Sequence, residues 1–209
     1  MPLQNRVTPF GEIVAISARG TFLGNRGGAL HNHDRQIVRQ YASRRWITCV
    51  LEFKGRRRIV MSQNRYTELF FLDEAVSLAA GHRPCAECRR PRYNDFKAAW
   101  LRDRDPGDQS FLSADSMDLE LHRARFSAER TKVIYRASAD SLPDGCFVQV
   151  AEHAYLVFHG AWLRWSPTGY VEKCASPGDR VVAVLTPEPI VRCLRKGYKP
   201  EIHYSASAL

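Results

Sequence analysis

The chain has 209 residues, of which 44% are hydrophobic and 25% are charged, a composition that excludes a disordered protein and is enough for a packed core. Its formal net charge is +9, which favours nucleic acid or another anionic surface as the partner. No stretch approaches the roughly 18 apolar residues of a membrane span, and the N-terminus lacks an apolar secretory core, so we expect a cytoplasmic protein with no membrane partner.

The first half of the chain contains predicted strands and two predicted helices. Residues 13–16 form a short apolar strand, and the glycine-dense residues 24–34 form an ordered loop. Residues 46–53 and 58–61 predict two strands of a hairpin, joined by a basic turn, and residues 66–72 predict a third strand. The predicted helices run from Asp73 as the N-cap to Ala80, with Gly81 closing the end, and from Pro91 to about Arg102.

The second half is predicted to be richer in strands. A helix over residues 113–126 precedes short strands at 133–135, 147–150, 154–158, 161–165 and 181–185. Charged residues with a Pro and a Gly at 103–108 indicate a soft boundary between a region of residues 1–104 and one of residues 109–209, with one continuous domain as the alternative. We therefore predict an α+β fold, with a small zinc-braced hairpin-helix N-terminal region and a β-rich, mostly antiparallel C-terminal part.

Cys85 and Cys88 have the spacing of a two-thiol metal clamp. Tetrahedral zinc takes four donors, and Cys49, in the strand before the basic turn, is the first choice for the third. His31 and His33, in the glycine-rich loop, are the candidates for the fourth. A buried strand cysteine at position 49, and a thiol pair that holds no metal, are the alternatives.

One segment resembles a known zinc module. Residues 70–88 read FFLDEAVSLAAGHRPCAEC, which is similar to the zinc-binding module of Ada-type DNA alkylation-repair proteins, with its aromatic strand, short helix and Arg-Pro-Cys-x-x-Cys. The resemblance extends over about residues 46–92 and implies zinc on Cys85 and Cys88 and contact with a DNA backbone. In that family a first cysteine pair completes the site and one thiolate accepts a methyl group, whereas residues 59–64 of this chain contain no cysteine.

Positive charge is concentrated around the cysteine pair. Residues 44–92 hold eleven Lys or Arg against five Asp or Glu. A cluster of this kind can neutralise several phosphates of DNA, including single-stranded or damaged DNA, although a solvated positive face is the alternative. The predicted nucleic-acid contacts are Lys54, Arg56, Arg57, Arg58, Arg65, Arg83, Arg89 and Arg90.

A catalytic site is the second hypothesis. His31 and His33 lie beside Asn25 and Arg26, and imidazoles can bind a divalent ion or activate water for phosphodiester hydrolysis. The sequence thus predicts a zinc-containing DNA-binding protein of DNA repair or processing. The alternatives are a metal-dependent endonuclease that uses His31 and His33, and a basic globular protein without metal; whether the chain is an enzyme stays open.

Overall fold

The computed structural model describes residues 1–56, 59–102, 104, 113–129 and 131–209. These residues form an α+β fold of four α-helices and twelve β-strands, which confirms the predicted class. The helices are α1 (Glu74–Ala79), α2 (Arg90–Leu101), α3 (Ala114–Arg125) and α4 (Glu188–Arg195). The strands are β1 (Gln4–Val7), β2 (Ile13–Ala15), β3 (Phe22–Asn25), β4 (Ile47–Cys49), β5 (Leu69–Phe71), β6 (Arg83–Pro84), β7 (Tyr135–Ser138), β8 (Phe147–Val150), β9 (His153–Phe158), β10 (Ala161–Ser166), β11 (Gly169–Ala175) and β12 (Val181–Val184).

The N-terminal strands form a mixed sheet in the order β2-β1-β5-β3-β4-β6. Strand β3 is antiparallel to both β4 and β5, whereas β4 is parallel to the two-residue strand β6. Gly24 in β3 permits this packing, because a Cβ there would lie 2.3 Å from the carbonyl oxygen of Ile47. The sheet thus places the end of β4 beside the end of β6.

The C-terminal strands form an antiparallel sheet in the order β11-β10-β9-β8-β12-β7. Strands β8 to β11 follow one another as a meander, and β12 inserts between β8 and β7. This arrangement confirms the prediction of a β-rich, mostly antiparallel C-terminal part.

Helices α1, α2 and α3 begin and end close to their predicted bounds. The carboxylate of Asp73 accepts the backbone N–H of Val76 at the N-terminus of α1, and Gly81 follows the C-terminus with φ +85°. Ser113 caps α3 in the same way by accepting the N–H of Ser116. These capping residues are recognisable in the sequence, which is why the helix ends could be predicted.

The predicted hairpin of residues 46–53 and 58–61 is wrong. Strand β4 pairs with β3 and β6 instead, and residues 59–61 form no strand. Residues 57 and 58 lie outside the described part of the chain. Of the glycine-dense residues 24–34 expected to be a loop, Gly24 and Asn25 belong to β3, where Gly24 allows a close approach that a side chain would block. Residues 26–34 form a loop as expected, with one isolated bridge from His31 to Ile37.

The hydrophobic core consists of two clusters, and each draws side chains from both predicted regions. One contains Phe96 and Trp100 of α2 with Val148 and Trp162 of the antiparallel sheet. The other contains residues of β5 and α1 with residues of β8 to β11. The predicted boundary falls at residues 105–108, outside the described part.

No described helix has both the length and the apolar character needed to cross a membrane.

Candidate metal centre

Three cysteines converge where β4 and β6 end. The register pairs Thr48 with Pro84, so Cys49 and Cys85 each follow a paired residue, and the backbone N–H of Cys85 donates to the carbonyl of Thr48 at 2.9 Å. Cys88 lies one turn further along the chain, just before α2. Parallel strand pairing therefore brings Cys49 to the Cys85-x-x-Cys88 turn, although 36 positions separate Cys49 from Cys85.

The three sulfur atoms have the spacing of ligands to one ion. All lie within 4.8 Å of one another, and Cys85 is buried while Cys49 and Cys88 are half-buried. Sulfurs bound to one tetrahedral zinc at about 2.3 Å lie about 3.8 Å apart, which is compatible with this cluster. The group can hold a metal ion, and it combines three of the predicted ligands.

Hydrogen bonds around the sulfurs favour a thiolate at Cys85. The thiols of Cys49 and Cys88 lower the pKa of the Cys85 thiol, and the backbone N–H of Glu87 donates to its Sγ at 3.4 Å. The pKa of Cys49 is raised, because its side chain donates to the other two sulfurs and is partly desolvated. Stabilising the thiolate is useful at a metal site, since the thiolate is the form that binds metal.

The predicted histidine ligands lie away from the three thiols. His31 is buried with its Nδ1 at 2.7 Å from the hydroxyl of Thr67 and its Nε2 at 3.2 Å from the carbonyl of Ser62. His33 is exposed on the same loop. Within the described part of the chain, the only group of three or more metal-binding side chains is that of Cys49, Cys85 and Cys88, so neither histidine supplies the fourth donor there.

Four of the predicted nucleic-acid contacts are exposed, namely Lys54, Arg56, Arg65 and Arg90. Arg56 is tied to the cysteine turn, because its guanidinium donates to Glu87, between Cys85 and Cys88, at 3.0 Å. The segment of residues 50–56, which follows Cys49, thus contacts the cysteine turn through this exposed ion pair. Predicted contacts Arg57 and Arg58 lie outside the described residues.

Arg83 and Arg89 are not placed to contact a phosphate, which corrects the prediction for both. The guanidinium of Arg83 is 4% exposed and makes two bonds to Asp118, at 2.8 and 2.7 Å. That of Arg89 is 3% exposed and binds Glu74 at 2.8 Å and also Glu201. Their charges are used inside the protein, where each has a carboxylate partner.

A pocket of about 830 Å³ opens beside Cys85 of the three-cysteine cluster. Cys85 and Glu87 line one part of it, and the exposed Arg44 and Arg45 line another. Arg45 also pairs with Asp115 at 3.0 Å across the pocket wall. The sequence showed Arg44 and Arg45 as part of the basic cluster, but only the fold shows that they share a pocket with a cysteine of the cluster.

Two buried carboxylates that could serve an endonuclease, those of Glu68 and Asp73, accept hydrogen bonds from other parts of the fold. Glu68 is buried and accepts the backbone N–H of Met61 at 2.8 Å. Asp73 accepts from the hydroxyl of Tyr170 at 2.7 Å and from the N–H of His203 at 3.0 Å, besides capping α1. Both therefore serve the fold around His31 and α1.

Comparisons with protein-family models, with curated proteins and with solved structures found no match to this chain.

Proposed function

We propose that the protein is a zinc-containing DNA-binding protein that acts in DNA repair or processing through contacts to the phosphate backbone. The observation that carries the proposal is the position of the three-thiol cluster at the start of residues 50–56, a segment with the exposed cations Lys54 and Arg56. Cys49 directly precedes this segment and the bond from Arg56 to Glu87 returns it to the cysteine turn.

The choice of zinc follows from the donor set. Three cysteine sulfurs within 4.8 Å of one another match the soft ligands of structural zinc sites. The N–H of Glu87 bound to the Cys85 sulfur resembles the outer hydrogen bonds that orient such ligands. A residue not described, water or the bound partner would complete the tetrahedron.

The choice of DNA rests on charge. The chain carries a formal charge of +9, and Lys54, Arg56, Arg65 and Arg90 are exposed. Arg56 contacts the cysteine turn through Glu87, and Arg90 follows Cys88 by two positions. Exposed arginines form two-point contacts with phosphate, and a rigid base for them limits the entropy lost on binding. The resemblance of residues 70–88 to the Ada-type zinc module supports the same partner.

The endonuclease alternative has no comparable support. Both ring nitrogens of His31 form hydrogen bonds, one with Thr67 and one with Ser62. Among the described residues, neither His31 nor His33 belongs to a group able to hold a metal. A plasmid incubated with the protein, with and without chelator, separates the two functions. Retarded but intact DNA supports the binding protein, and chelator-sensitive cleavage supports the nuclease.

The DNA-binding proposal is tested by the salt dependence of affinity. A double variant, Lys54→Gln with Arg56→Gln, is expected to bind a DNA duplex more weakly and to reduce the slope of log K against log salt by about 2, because each lost phosphate contact removes about one unit. The matched control is Lys173→Gln with Arg180→Gln, since both residues are exposed in the C-terminal part. Equal slopes for the two double variants would remove the basic segment from the proposal.

A further inference from the structure

A second pocket, which none of the three clustered cysteines lines, contains three cations. It has a volume of about 490 Å³, and Arg26, Trp46, Arg125 and Lys132 line it. We call it the Trp46 pocket. Glu12, which is exposed, is the one acidic residue among its described lining residues.

Two guanidinium groups lie over the ring of Trp46. The Cζ atoms of Arg26 and Arg125 are each 4.0 Å from the centre of its ring. Trp46, Arg26 and Arg125 are all at most 2% exposed. The indole therefore holds two like charges close together in a site that water hardly reaches.

Among the described residues, none of these three cations forms an ion pair with a carboxylate, although Asp118, which is bound to Arg83, also raises the pKa of Arg125 through its charge. Arg26 donates to the carbonyls of Gly11 and Gln40 and to His82. Arg125 donates to the carbonyls of Gly81 and Arg44 and contacts His122, while its buried Nε has no hydrogen-bond partner. Lys132 donates to the carbonyl of Ala79 at 2.6 Å.

The other buried arginines in the described part of the chain each have a carboxylate partner. Arg83 has Asp118 and Arg89 has Glu74, each within 2.8 Å. Burial without a counterion disfavours the charged form, so desolvation lowers the pKa of Arg26 and of Arg125 to about 9 and that of Lys132 to about 7. His82, also buried against Arg26, has a pKa well below its usual value because of desolvation and these cations.

A purely structural role explains only part of the cluster. Arg125 and Lys132 donate to Gly81 and Ala79 at the C-terminal end of α1, where cations are favourable. Arg26 donates to two loop carbonyls remote from α1. A helix cap accounts for two of the cations and bonds to loop carbonyls account for the third, but neither role requires three positive charges in one pocket without a paired carboxylate.

We propose that the Trp46 pocket binds a phosphate monoester. A monoester carries close to two negative charges at neutral pH and three acceptor oxygens, which complements three cations better than a single carboxylate does. The apolar residues Phe10, Ile13, Ile37 and Phe126 line the same pocket and form a wall for the body of the ligand. A nucleotide has this combination, either free or as the 5′-phosphorylated end of a strand. The proposal does not depend on the metal centre.

The test is calorimetric titration of the full chain with three phosphate probes, namely inorganic phosphate, adenosine monophosphate and a 5′-phosphorylated oligonucleotide. Adenosine and the same oligonucleotide with a 5′-hydroxyl are the matched controls. We expect adenosine monophosphate to bind at least about tenfold more tightly than adenosine, or the 5′-phosphorylated oligonucleotide to do so relative to its 5′-hydroxyl form. Whichever phosphorylated ligand binds more tightly identifies the source of the phosphate. No binding by any phosphate probe, or equal binding with and without the phosphate, overturns the proposal.

Two variants locate the site. Lys132→Met is expected to weaken phosphate binding by about 10- to 100-fold through loss of a charge-assisted bond, and the control Lys173→Met, at an exposed position of β11, is expected to bind normally. Thr131→Asp adds a carboxylate at an exposed residue of the pocket and should also weaken binding without disturbing the core. Unchanged affinity in the folded variants would place the ligand elsewhere and overturn the assignment.

Discussion

The guanidinium of Arg83 shows how a charge beside the cysteine pair can serve the fold instead of a ligand. It makes a two-point contact with Asp118 on α3 and is stacked near the ring of Tyr93. Asp118 lies 35 positions later, so no local pattern links the two residues. Exposed and buried arginines look alike in a sequence, which is why the predicted contact surface contained both kinds.

Replacing Arg83 by Met is expected to destabilise the protein by about 3–5 kcal/mol, because Asp118 would stay buried without a partner. The free energy of unfolding from urea titration measures this loss. The double variant Arg83→Met with Asp118→Leu should recover most of it, since it buries no charge. A stable single variant with weaker DNA binding would contradict this structural role.

Cys85→Ser is expected to abolish metal binding and to lower the melting temperature, because a hydroxyl is a poor zinc ligand and the other two thiols cannot hold the ion alone. Elemental analysis and thermal unfolding measure the two effects. Cys49→Ser should behave in the same way, whereas Cys174→Ser, outside the cluster, should keep both metal and stability. Equal metal content in Cys85→Ser and Cys174→Ser would rule the cluster out as the metal site.

The cysteine spacing predicted two members of the cluster, and reasoning about neighbouring strands suggested the third. Cys49 was expected to lie in a strand of a hairpin, whereas the parallel pairing of β4 with β6 brings it to the other two cysteines. Strand β6 is two residues long and contains Pro84, so it carries no strand signal. Non-local pairing of this kind is set by the rest of the sheet.

Helix α1 is held by side chains that come from distant parts of the chain. Its first residue, Glu74, is buried and accepts from Arg89, from Arg92 and from the backbone N–H of Glu201. Its predecessor Asp73 binds Tyr170 and His203. The helix bounds were predictable from Asp73 and Gly81, but the partners that fix its position in the fold were not.

Acid is expected to destabilise the protein through Glu74. Burial alone would raise its pKa, but Arg89 and hydrogen bonds to Arg89 and Tyr198 outweigh burial and lower the pKa below its usual 4.5. Since the unfolded chain then takes up the proton first, the stability contributed by Glu74 is present above about pH 4.5 and is lost as the pH falls towards the folded value.

Glu74→Gln should therefore flatten this dependence, measured as the urea midpoint from about pH 5 to about pH 3. It should also be less stable than wild type at neutral pH, because the charge of Arg89 loses a partner. The exposed Glu152→Gln is the control and should follow wild type. Parallel curves for Glu74→Gln and wild type would contradict the role of this carboxylate.

Across the whole molecule, the two sheets share their hydrophobic clusters. Phe71 and Ala75 pack in one cluster with Phe147 and Leu156, although these pairs belong to opposite predicted regions. Alternating residues made most strands of the antiparallel sheet predictable, whereas the mixed sheet depends on pairings between short strands far apart in sequence. Class and helices could therefore be predicted, and the order of the N-terminal strands could not.

We expect the chain to unfold in a single cooperative transition, because neither predicted region has a core of its own among the described residues. Scanning calorimetry tests this by comparing the calorimetric with the van't Hoff enthalpy. A fragment of residues 1–104 should show no cooperative transition when it is made alone. Two separate transitions, or a fragment that folds alone, would contradict this expectation and support two domains, at residues 1–104 and 109–209.

The sequence distance between Cys49 and Cys85 gives a bound ion a further effect. An ion that binds both sulfurs cross-links the chain and closes a loop of about 36 residues, as a disulfide would. The cross-link restricts the conformations of the unfolded chain. By the chain-entropy relation for cross-links, this tether is worth about 4 kcal/mol at room temperature, provided that the ion stays bound on unfolding. Refolding after denaturation should consequently be faster when the metal is retained than when it has been stripped.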